Sequence, residues 1–203
     1  MDADAVEIRV LGCLIEKQRT TPDTYPLTLN SLRLACNQAT NRDPVVDYDE
    51  ETIRDALQRL WRKEWARLAS GQGSRAVKYR QLVQDTLGLE DDEISVLCVL
   101  MLRGPQTPGE LKQRTDRLHP FASLTDVEET LERLLERELA VRLERRPGQK
   151  EERYAQLLGG EIDDSLVGDA PRPVLARDPL EERVAALEAE VAALRAVLTD
   201  LGL

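Results

Sequence analysis

The chain carries one short module twice, and this internal repeat limits what it can fold into more than any other feature. Residues 8–17 (IRVLGCLIEK) align with residues 94–103 (ISVLCVLMLR), with apolar residues falling on apolar residues. Farther along the chain, residues 57–66 (LQRLWRKEWA) align in the same way with residues 131–140 (LERLLERELA). A repeat of this kind predicts two copies of one small fold, of which the first is about a dozen residues longer.

The apolar spacing of the first copy predicts three helices followed by a β-hairpin. The helices are expected at residues 3–18, at residues 28–38 and after the N-cap Asp49. The third helix is expected to bury five apolar side chains: Ile53, Ala56, Leu57, Leu60 and Trp61. A short β-like run is expected at residues 45–48. Alternation within residues 66–81 predicts the hairpin, with the sequence GQGSR at its tip.

The second copy is a shorter version of the first. Its first helix is expected at residues 91–103, and residues 107–110 (TPGE) form a capping box that opens the second helix. Residues 125–128 (TDVE) are expected to form the capping box of the third helix. Residues 140–158 then predict a hairpin.

Three helices followed by a hairpin is the order of elements in a winged helix-turn-helix. The chain is therefore predicted to be mainly α with small β-hairpins (α+β), with two winged helix-turn-helix domains in tandem. The first domain (the first module) covers residues 1–85, and the second domain (the second module) covers residues 86–158. Residues 159–177 contain Gly, Pro and Asp without a helical period and predict a linker. Residues 178–203 predict a coiled-coil-like helix.

The C-terminal segment has the most regular apolar pattern in the chain. Its apolar residues recur at alternating intervals of four and three: Leu180, Val184, Leu187, Val191, Leu194, Leu198 and Leu201. Branched Val at a positions and Leu at d positions favour a parallel two-stranded coiled coil, so the chain is predicted to be a homodimer. The alternative is a helix that packs along the winged-helix domains of its own chain, since three heptads are marginal alone.

The net charge of −10 is unevenly distributed along the chain. Residues 1–85 contain 13 basic and 13 acidic side chains, residues 86–158 contain 11 and 15, and residues 159–203 contain 4 and 10. The acidic balance therefore comes from the second module and the tail. It does not exclude nucleic acid as a partner of the first module.

The strongest basic signal lies in the third helix and the hairpin of the first module. Because Ile53, Leu57 and Leu60 are assigned to the core, the polar residues between them must lie on or near the solvent side. In a winged helix that side enters the major groove of double-stranded DNA, while cations of the hairpin contact phosphates. The candidate nucleic-acid contacts are Arg54, Gln58, Arg59, Arg62, Lys63, Arg75, Lys78 and Arg80. The alternative is an ordinary solvated helix face in a highly charged chain.

The third helix of the second module has the opposite character. It displays four glutamates, which would repel phosphate: Glu128, Glu129, Glu132 and Glu136. The second module is therefore predicted to bind a protein partner.

The residue types needed for catalysis or for a metal site do not occur together. The sequence has one histidine, His119, with no Ser/His/Asp or Cys/His set and no phosphate-binding glycine loop, so no enzyme activity, cofactor or metal is predicted. Cys13, Cys36 and Cys98 have no CxxC spacing and are expected to be buried, reduced thiols. The apolar runs are too short to span a bilayer, so the chain is predicted to be cytoplasmic with no membrane partner.

One segment resembles a known family. The stretch VLGCLIEKQRTTPDTYPLTLNSLRLACNQATNRDPVVDYDE, residues 10–50, resembles the YceH family of bacterial proteins, and the order of segments beyond it also fits. The resemblance implies tandem winged-helix domains in a bacterial cytosolic protein. It implies no activity and no catalytic residues, because the family is of uncharacterised function.

The motif concentrates polar residues around the second helix: Asn30, Asn37, Gln38, Asn41, Arg42 and Asp43. Asn41 and Asp43 are expected to form local caps and turns. Asn30, Asn37 and Arg42 either do the same or contact a phosphate or a partner.

Two hypotheses for the function follow from these patterns. The first is a homodimeric, DNA-binding, transcription-regulator-like protein that uses the third helix and the hairpin of the first module. The alternative is an adaptor that binds protein within a chromosome-associated or regulatory assembly, without direct DNA contact. The acidic second module and tail motivate the alternative.

Overall fold

The computed structural model describes residues 3–69, 76–143 and 151–160 of the chain. By its contacts the chain divides into two compact units, residues 1–168 and residues 169–203, and every described residue belongs to the first. The predicted heptad helix, from Leu180 to Leu201, lies outside the described residues. So do most of the predicted linker, both hairpin tips and Arg75.

The first module consists of three helices and a small antiparallel sheet, followed by a short helix. Its elements in chain order are α1 (Ala5–Thr20), β1 (Leu27–Thr28), α2 (Leu29–Cys36), α3 (Glu50–Arg62), β2 (Ala66–Leu68), β3 (Lys78–Gln81) and α4 (Val83–Leu87). The strands are antiparallel in the order β1-β3-β2. Tyr79 of β3 lies in the middle, opposite Leu27 on one side and Leu68 on the other.

The second module repeats this order in a shorter form. Its elements are α5 (Asp91–Arg103), α6 (Pro108–Thr115), α7 (Leu124–Glu136), β4 (Ala140–Leu143) and β5 (Arg153–Gln156). β4 and β5 pair antiparallel, and an isolated bridge between Gln106 and Tyr154 stands where the first module has β1. A mainly α chain with small β-hairpins is therefore confirmed. None of the helices in these described ranges is long and apolar enough to cross a membrane.

Side-chain caps decide where the helices begin. The predicted N-cap of α3 is confirmed, because Asp49 accepts a hydrogen bond of 2.8 Å from the backbone N of Thr52. The Thr107–Glu110 capping box of α6 is confirmed as well. The predicted box at residues 125–128 is wrong. Ser123 accepts from the backbone N of Asp126 at 3.1 Å, which starts α7 two residues earlier and places Thr125 inside its first turn.

The two modules are joined through their first helices, since α1 packs along α5. Gly12 allows the close approach: a Cβ at this position would lie 2.9 Å from Cδ2 of Leu102. At the same crossing, the thiol of Cys98 donates to the carbonyl of Gly12 at 3.4 Å. Cys13, Cys36 and Cys98 are all buried and free, as expected. The predicted domain boundary at residue 85 stays a prediction.

Trp61 is not in the core, contrary to expectation. Its exposed fraction is 65 %, whereas Trp65 is only 4 % exposed. Trp61 follows Leu57 by four residues, or about 40° around the helix, which carries it off the edge of the buried face. Trp65 comes after the end of α3, where its backbone N donates to the carbonyl of Leu60 at 2.9 Å and the chain turns inward.

The expected β-like run at residues 45–48 is also wrong, because these residues form no strand. The side chain of Asn37 occupies the backbone groups that a strand partner would use. It accepts from the backbone N of Tyr48 at 2.9 Å and donates to the carbonyl of Tyr48 at 2.8 Å. Asn37 of the polar motif therefore holds the approach to α3 in place.

Candidate nucleic-acid interface

One face of α3 is exposed and basic. Arg54, Gln58 and Arg62 recur every four residues, and all three are exposed. Arg54 has only a distant contact, 4.0 Å, between its Nη2 and Glu50, with both side chains 49 % exposed. Arg62 has no ion pair within the described part of the chain. These side chains are free to contact a partner.

The other flank of α3 is occupied by α1. Arg59 donates to Asp4 at 2.7 Å and lies 3.5 Å from Glu7, and Lys63 donates to Glu7 at 2.6 Å. Glu7 is 2 % exposed, and its carboxylate also accepts from the backbone N of Asp4 at 2.9 Å. The structure therefore separates Arg59 and Lys63 from the other candidate contacts and engages them in holding α3 against α1.

The described cations of the first module's hairpin lie on one face of it. Arg67 and Arg80 are cross-strand partners, so their side chains leave the same face of the sheet, and Lys78 shares it by alternation. Arg67 is exposed, while Lys78 and Arg80 are half-buried. Arg67 is an additional candidate beyond the predicted contacts. The pairing of the two hairpin strands, which sets Arg67 opposite Arg80, is the observation that indicates Arg67 as a candidate contact.

An apolar groove lies between α3 and the hairpin. Its volume is about 320 Å³, and its lining is Arg54, Leu57, Gln58, Trp61, Ala66, Arg67, Leu68 and Tyr79. Trp61 and Leu68 are 65 % and 59 % exposed, which is unusual for such large apolar side chains. Sequence reasoning missed the groove because it assigned Trp61 to the core.

Arg42 of the polar motif is a structural residue. Its side chain is fully buried and lies 2.6 Å from Glu16 through Nη2. The other guanidinium hydrogens are donated to Glu16 through Nη1, to the carbonyls of Ala35 and Asn41, and to the side chain of Gln38. Burial alone would raise the pKa of Glu16, but the hydrogen bonds and charge of Arg42 outweigh burial and lower this pKa below its ordinary value. Arg42 and Gln38 therefore tie the loop after α2 to α1.

The remaining motif residues also have partners within the chain. The side chain of Asn30 accepts from Arg33 at 3.2 Å on the exposed side of α2. Asn41 has a φ of 60°, which its type tolerates, and its side chain accepts from Arg103 of α5. The backbone N of Asp43 donates to the last turn of α5 at 2.9 Å. The motif thus connects the first module to α5.

The second module has a different surface at the equivalent positions. Glu128, Glu132 and Glu136 of α7 are exposed where α3 has Arg54, Gln58 and Arg62. The inner flank is the same in both modules: Arg137 donates to Glu93 at 2.9 Å, and Arg133 pairs with Asp92 and Glu93. Glu132 is bound by Arg142 at 2.5 Å, so Glu128, Glu129 and Glu136 carry the free negative charge of this face.

The described residues contain no group of three or more His, Cys, Asp and Glu side chains that could hold a metal ion.

Comparison with known proteins finds relatives that align with this chain over most of their length. Residues 3–149 match the family described as "Protein of unknown function, DUF480". The chain is 50 % identical to a UPF0502 protein of Pelobacter propionicus, over 96 % of this chain and 94 % of the relative. It is 48 % identical to a UPF0502 protein of Opitutus terrae, over 94 % and 82 %. It is 45 % identical to the UPF0502 protein YceH of Salmonella newport, over 97 % and 94 %.

Proposed function

The chain belongs to the YceH family, a family of unknown function, and we propose that it is a tandem winged-helix protein that binds double-stranded DNA through its first module. The order of helices and strands supports the winged-helix part of the proposal. In each module three helices precede a hairpin, and the second hairpin strand pairs with a segment ahead of the second helix.

The observation that carries DNA binding is the free basic stripe on α3. Arg54, Gln58 and Arg62 lie on one exposed face, and Arg67 extends the positive charge onto the hairpin. Arg and Gln side chains make hydrogen bonds to base edges in the major groove, and hairpin cations contact phosphates. Arg59 and Lys63 are left out of this role because Asp4 and Glu7 already neutralise them.

The test is the binding of the full chain to a pool of fluorescent duplex DNA, measured by anisotropy over a range of salt concentrations. We expect the affinity to fall as salt rises, because cations that neutralise phosphates release counterions. The variant carrying Arg54→Gln and Arg62→Gln should bind at least tenfold more weakly, with a salt slope smaller by about two. A matched control is Lys112→Gln with Arg117→Gln, which removes two cations from the second module and changes the net charge equally.

Two results would reject the proposal. One is a wild-type chain with no measurable affinity at low salt. The other is an equal loss for the double variant and the Lys112/Arg117 control, because binding would then follow total charge rather than the α3 stripe.

A second function, an adaptor that binds protein, is favoured by the apolar groove. Trp61 and Leu68 border a space of about 320 Å³ that suits an apolar side chain of a partner. The two functions separate by mutation: Trp61→Ala should reduce protein binding and leave DNA affinity nearly unchanged, whereas Arg62→Gln should do the reverse. A stable protein partner that survives nuclease treatment and is lost only in Trp61→Ala would support the adaptor.

We also propose that the chain is a homodimer through residues 178–203. The heptad pattern from Leu180 to Leu201 is the support, since it favours two parallel strands. Light scattering should give twice the chain mass for the full protein and one chain mass for a protein ending at Arg177. If the full protein and the shortened protein have the same number of chains, the C-terminal segment does not dimerise.

A further inference from the structure

A cleft lies between residues of the first module and residues of the second. Its walls are the second half of α1, the loop at residues 37–44, and the segments α5, α6 and β5. Two adjoining cavities of about 560 and 820 Å³ make up the cleft, and both are lined by Asn41, Arg103 and Arg114. The space is in the range of small-molecule sites.

The cleft collects arginine side chains that are not neutralised. Arg103 contacts the side-chain oxygen of Asn41, and it has no carboxylate partner in the part of the chain that the structure describes. Arg153 projects from β5, and its Nε and Nη2 are buried with no hydrogen-bond partner among the described residues. Arg117 follows α6 in the chain, lines the smaller cavity and is exposed. Arg103 lines both cavities, Arg117 lines the smaller one and Arg153 the larger one, each without an ion pair among the described residues.

The other charges of the cleft do not cancel this excess. Glu16 is bound by Arg42, and Glu110 is bound by Arg114 at 3.2 Å, so these acids are already used. Asp43 and Asp116 also line the cavities, so the two linings together carry five arginines against four carboxylates, an excess of one positive charge. Burial, followed by the charges of Arg114 and Arg42, lowers the pKa of Arg103. A cation in this position is stabilised by an anion brought in from solution.

We propose that this cleft binds a small molecule that carries phosphate groups. The planar fork of an arginine matches two oxygens of one phosphate, and several arginines around one space suit an anion with more than one negative charge. The cavity accepts a molecule larger than inorganic phosphate. The site is distinct from α3 and the hairpin of the first module, so it does not depend on DNA binding.

The ligand would also connect the modules. Asn41 belongs to the first module, while Arg103, Arg114 and Arg153 belong to the second. A bound anion therefore contacts both modules at once. Because it binds only the folded chain, it should raise the unfolding temperature of the full chain by mass action.

The test is calorimetric titration of the full chain with sodium pyrophosphate at low salt, with the shift in unfolding temperature as a second readout. We expect saturable binding with a dissociation constant of about 1 mM or lower. Arg103→Gln and Arg153→Gln should each weaken binding at least tenfold and reduce the temperature shift. The matched control Arg67→Gln removes one exposed arginine from the hairpin and should bind like the wild type. Each variant is used only after its unfolding without ligand is shown to be cooperative, and the single substitutions guard against a double variant that does not fold.

Three outcomes would overturn the proposal. The first is the absence of binding and of any temperature shift up to about ten times the expected dissociation constant. The second is an equal loss in Arg67→Gln, which would indicate nonspecific attraction to positive charge. The third is equal or tighter binding of tricarballylate, a carboxylate trianion, which would contradict the assignment to phosphate.

Discussion

The two modules keep the same interior contact and carry opposite outer faces. In the first, Glu7 of α1 holds Arg59 and Lys63 of α3, and in the second, Glu93 of α5 holds Arg133 and Arg137 of α7. Glu7 and Glu93 are both 2 % exposed. Each also accepts a hydrogen bond of 2.9 Å from the backbone at the start of its own helix.

The outer faces differ at three aligned positions. Arg54, Gln58 and Arg62 of α3 correspond to Glu128, Glu132 and Glu136 of α7. A buried ion pair is constrained because the loss of one partner leaves the other charge uncompensated, whereas an exposed side chain changes at little cost to folding. The difference teaches that cations on one helix can serve two purposes, and that only the neighbouring helix tells them apart.

A second difference lies in the longer loop of the first module. Arg42 anchors this loop to Glu16 of α1. In α5 the residue that aligns with Glu16 is Leu102, which has no charge. The second module therefore folds without a counterpart of this ion pair.

The largest expected effect comes from breaking this extra ion pair. Glu16→Gln should lower the free energy of unfolding by about 3–5 kcal/mol, because the fully buried guanidinium of Arg42 loses its carboxylate. Urea unfolding measures the change, and Glu51→Gln at the exposed start of α3 is the control, with a change within about 0.5 kcal/mol. A loss below about 1 kcal/mol for Glu16→Gln would mean that the loop is held by other contacts.

The same pair predicts a dependence of stability on pH. The folded-state pKa of Glu16 lies below its ordinary value, so its contribution is complete above the unfolded pKa of about 4.3 and is lost as pH falls through the folded pKa. The difference in stability between the wild type and Glu16→Gln should therefore shrink below about pH 4. A difference that stays constant from pH 7 to the acid limit would contradict the assignment.

The shared interior contact should give the next largest effect. Glu7→Gln and Glu93→Gln are each expected to cost about 2–3 kcal/mol, less than Glu16→Gln because the partner cations are partly exposed. Denaturant unfolding of each variant gives the two values. Values within about 1 kcal/mol of each other would show that the two modules share this contact, and a large cost at only one site would show that they do not.

Copying the outer face of the first module onto the second should produce a smaller gain. The variant Glu128→Arg with Glu136→Arg is expected to bind duplex DNA about tenfold more tightly, or about 1.4 kcal/mol, because two repelling charges become attracting ones. The control is Asp23→Arg with Asp85→Arg, which changes the net charge equally at exposed positions elsewhere. An equal gain in the control would show that position on the helix does not matter.

The smallest effect is expected at Trp61. Because this side chain is largely exposed, Trp61→Ala should change the free energy of unfolding by less than about 0.5 kcal/mol. Its counterpart Leu135 is half-buried against the core, so Leu135→Ala should cost about 1 kcal/mol. Thermal unfolding of both variants makes the comparison, and a larger loss at Trp61 would show that its groove is closed in the folded protein.

Much of the fold was predictable because its signals are local. The spacing of Ile53, Leu57 and Leu60 along the chain marks the buried face of α3, and Asp49 marks its start. The errors occurred where two local signals compete. Ser123 begins α7 in place of Thr125, since either residue has an acidic partner three positions later.

The candidate site was predictable only in part. The basic composition of α3 and the hairpin was evident, but Arg59 and Lys63 look the same as Arg54 and Arg62 in the sequence. The carboxylates that bind them lie more than 50 positions away, on α1. The outward position of Trp61 likewise depends on how far the buried face of α3 extends around the helix.

The repeat, the types of the elements, most helix starts and the family follow from the sequence, because each of these depends on spacing or on residue identity along the chain. Only the tertiary structure decided which cations are neutralised and which are free, and that arginines of the second module meet the loop of the first in one cleft. These properties depend on the packing of α1 against α3 and α5. That packing brings together side chains far apart in the chain, and electrostatic interactions depend on distance in space.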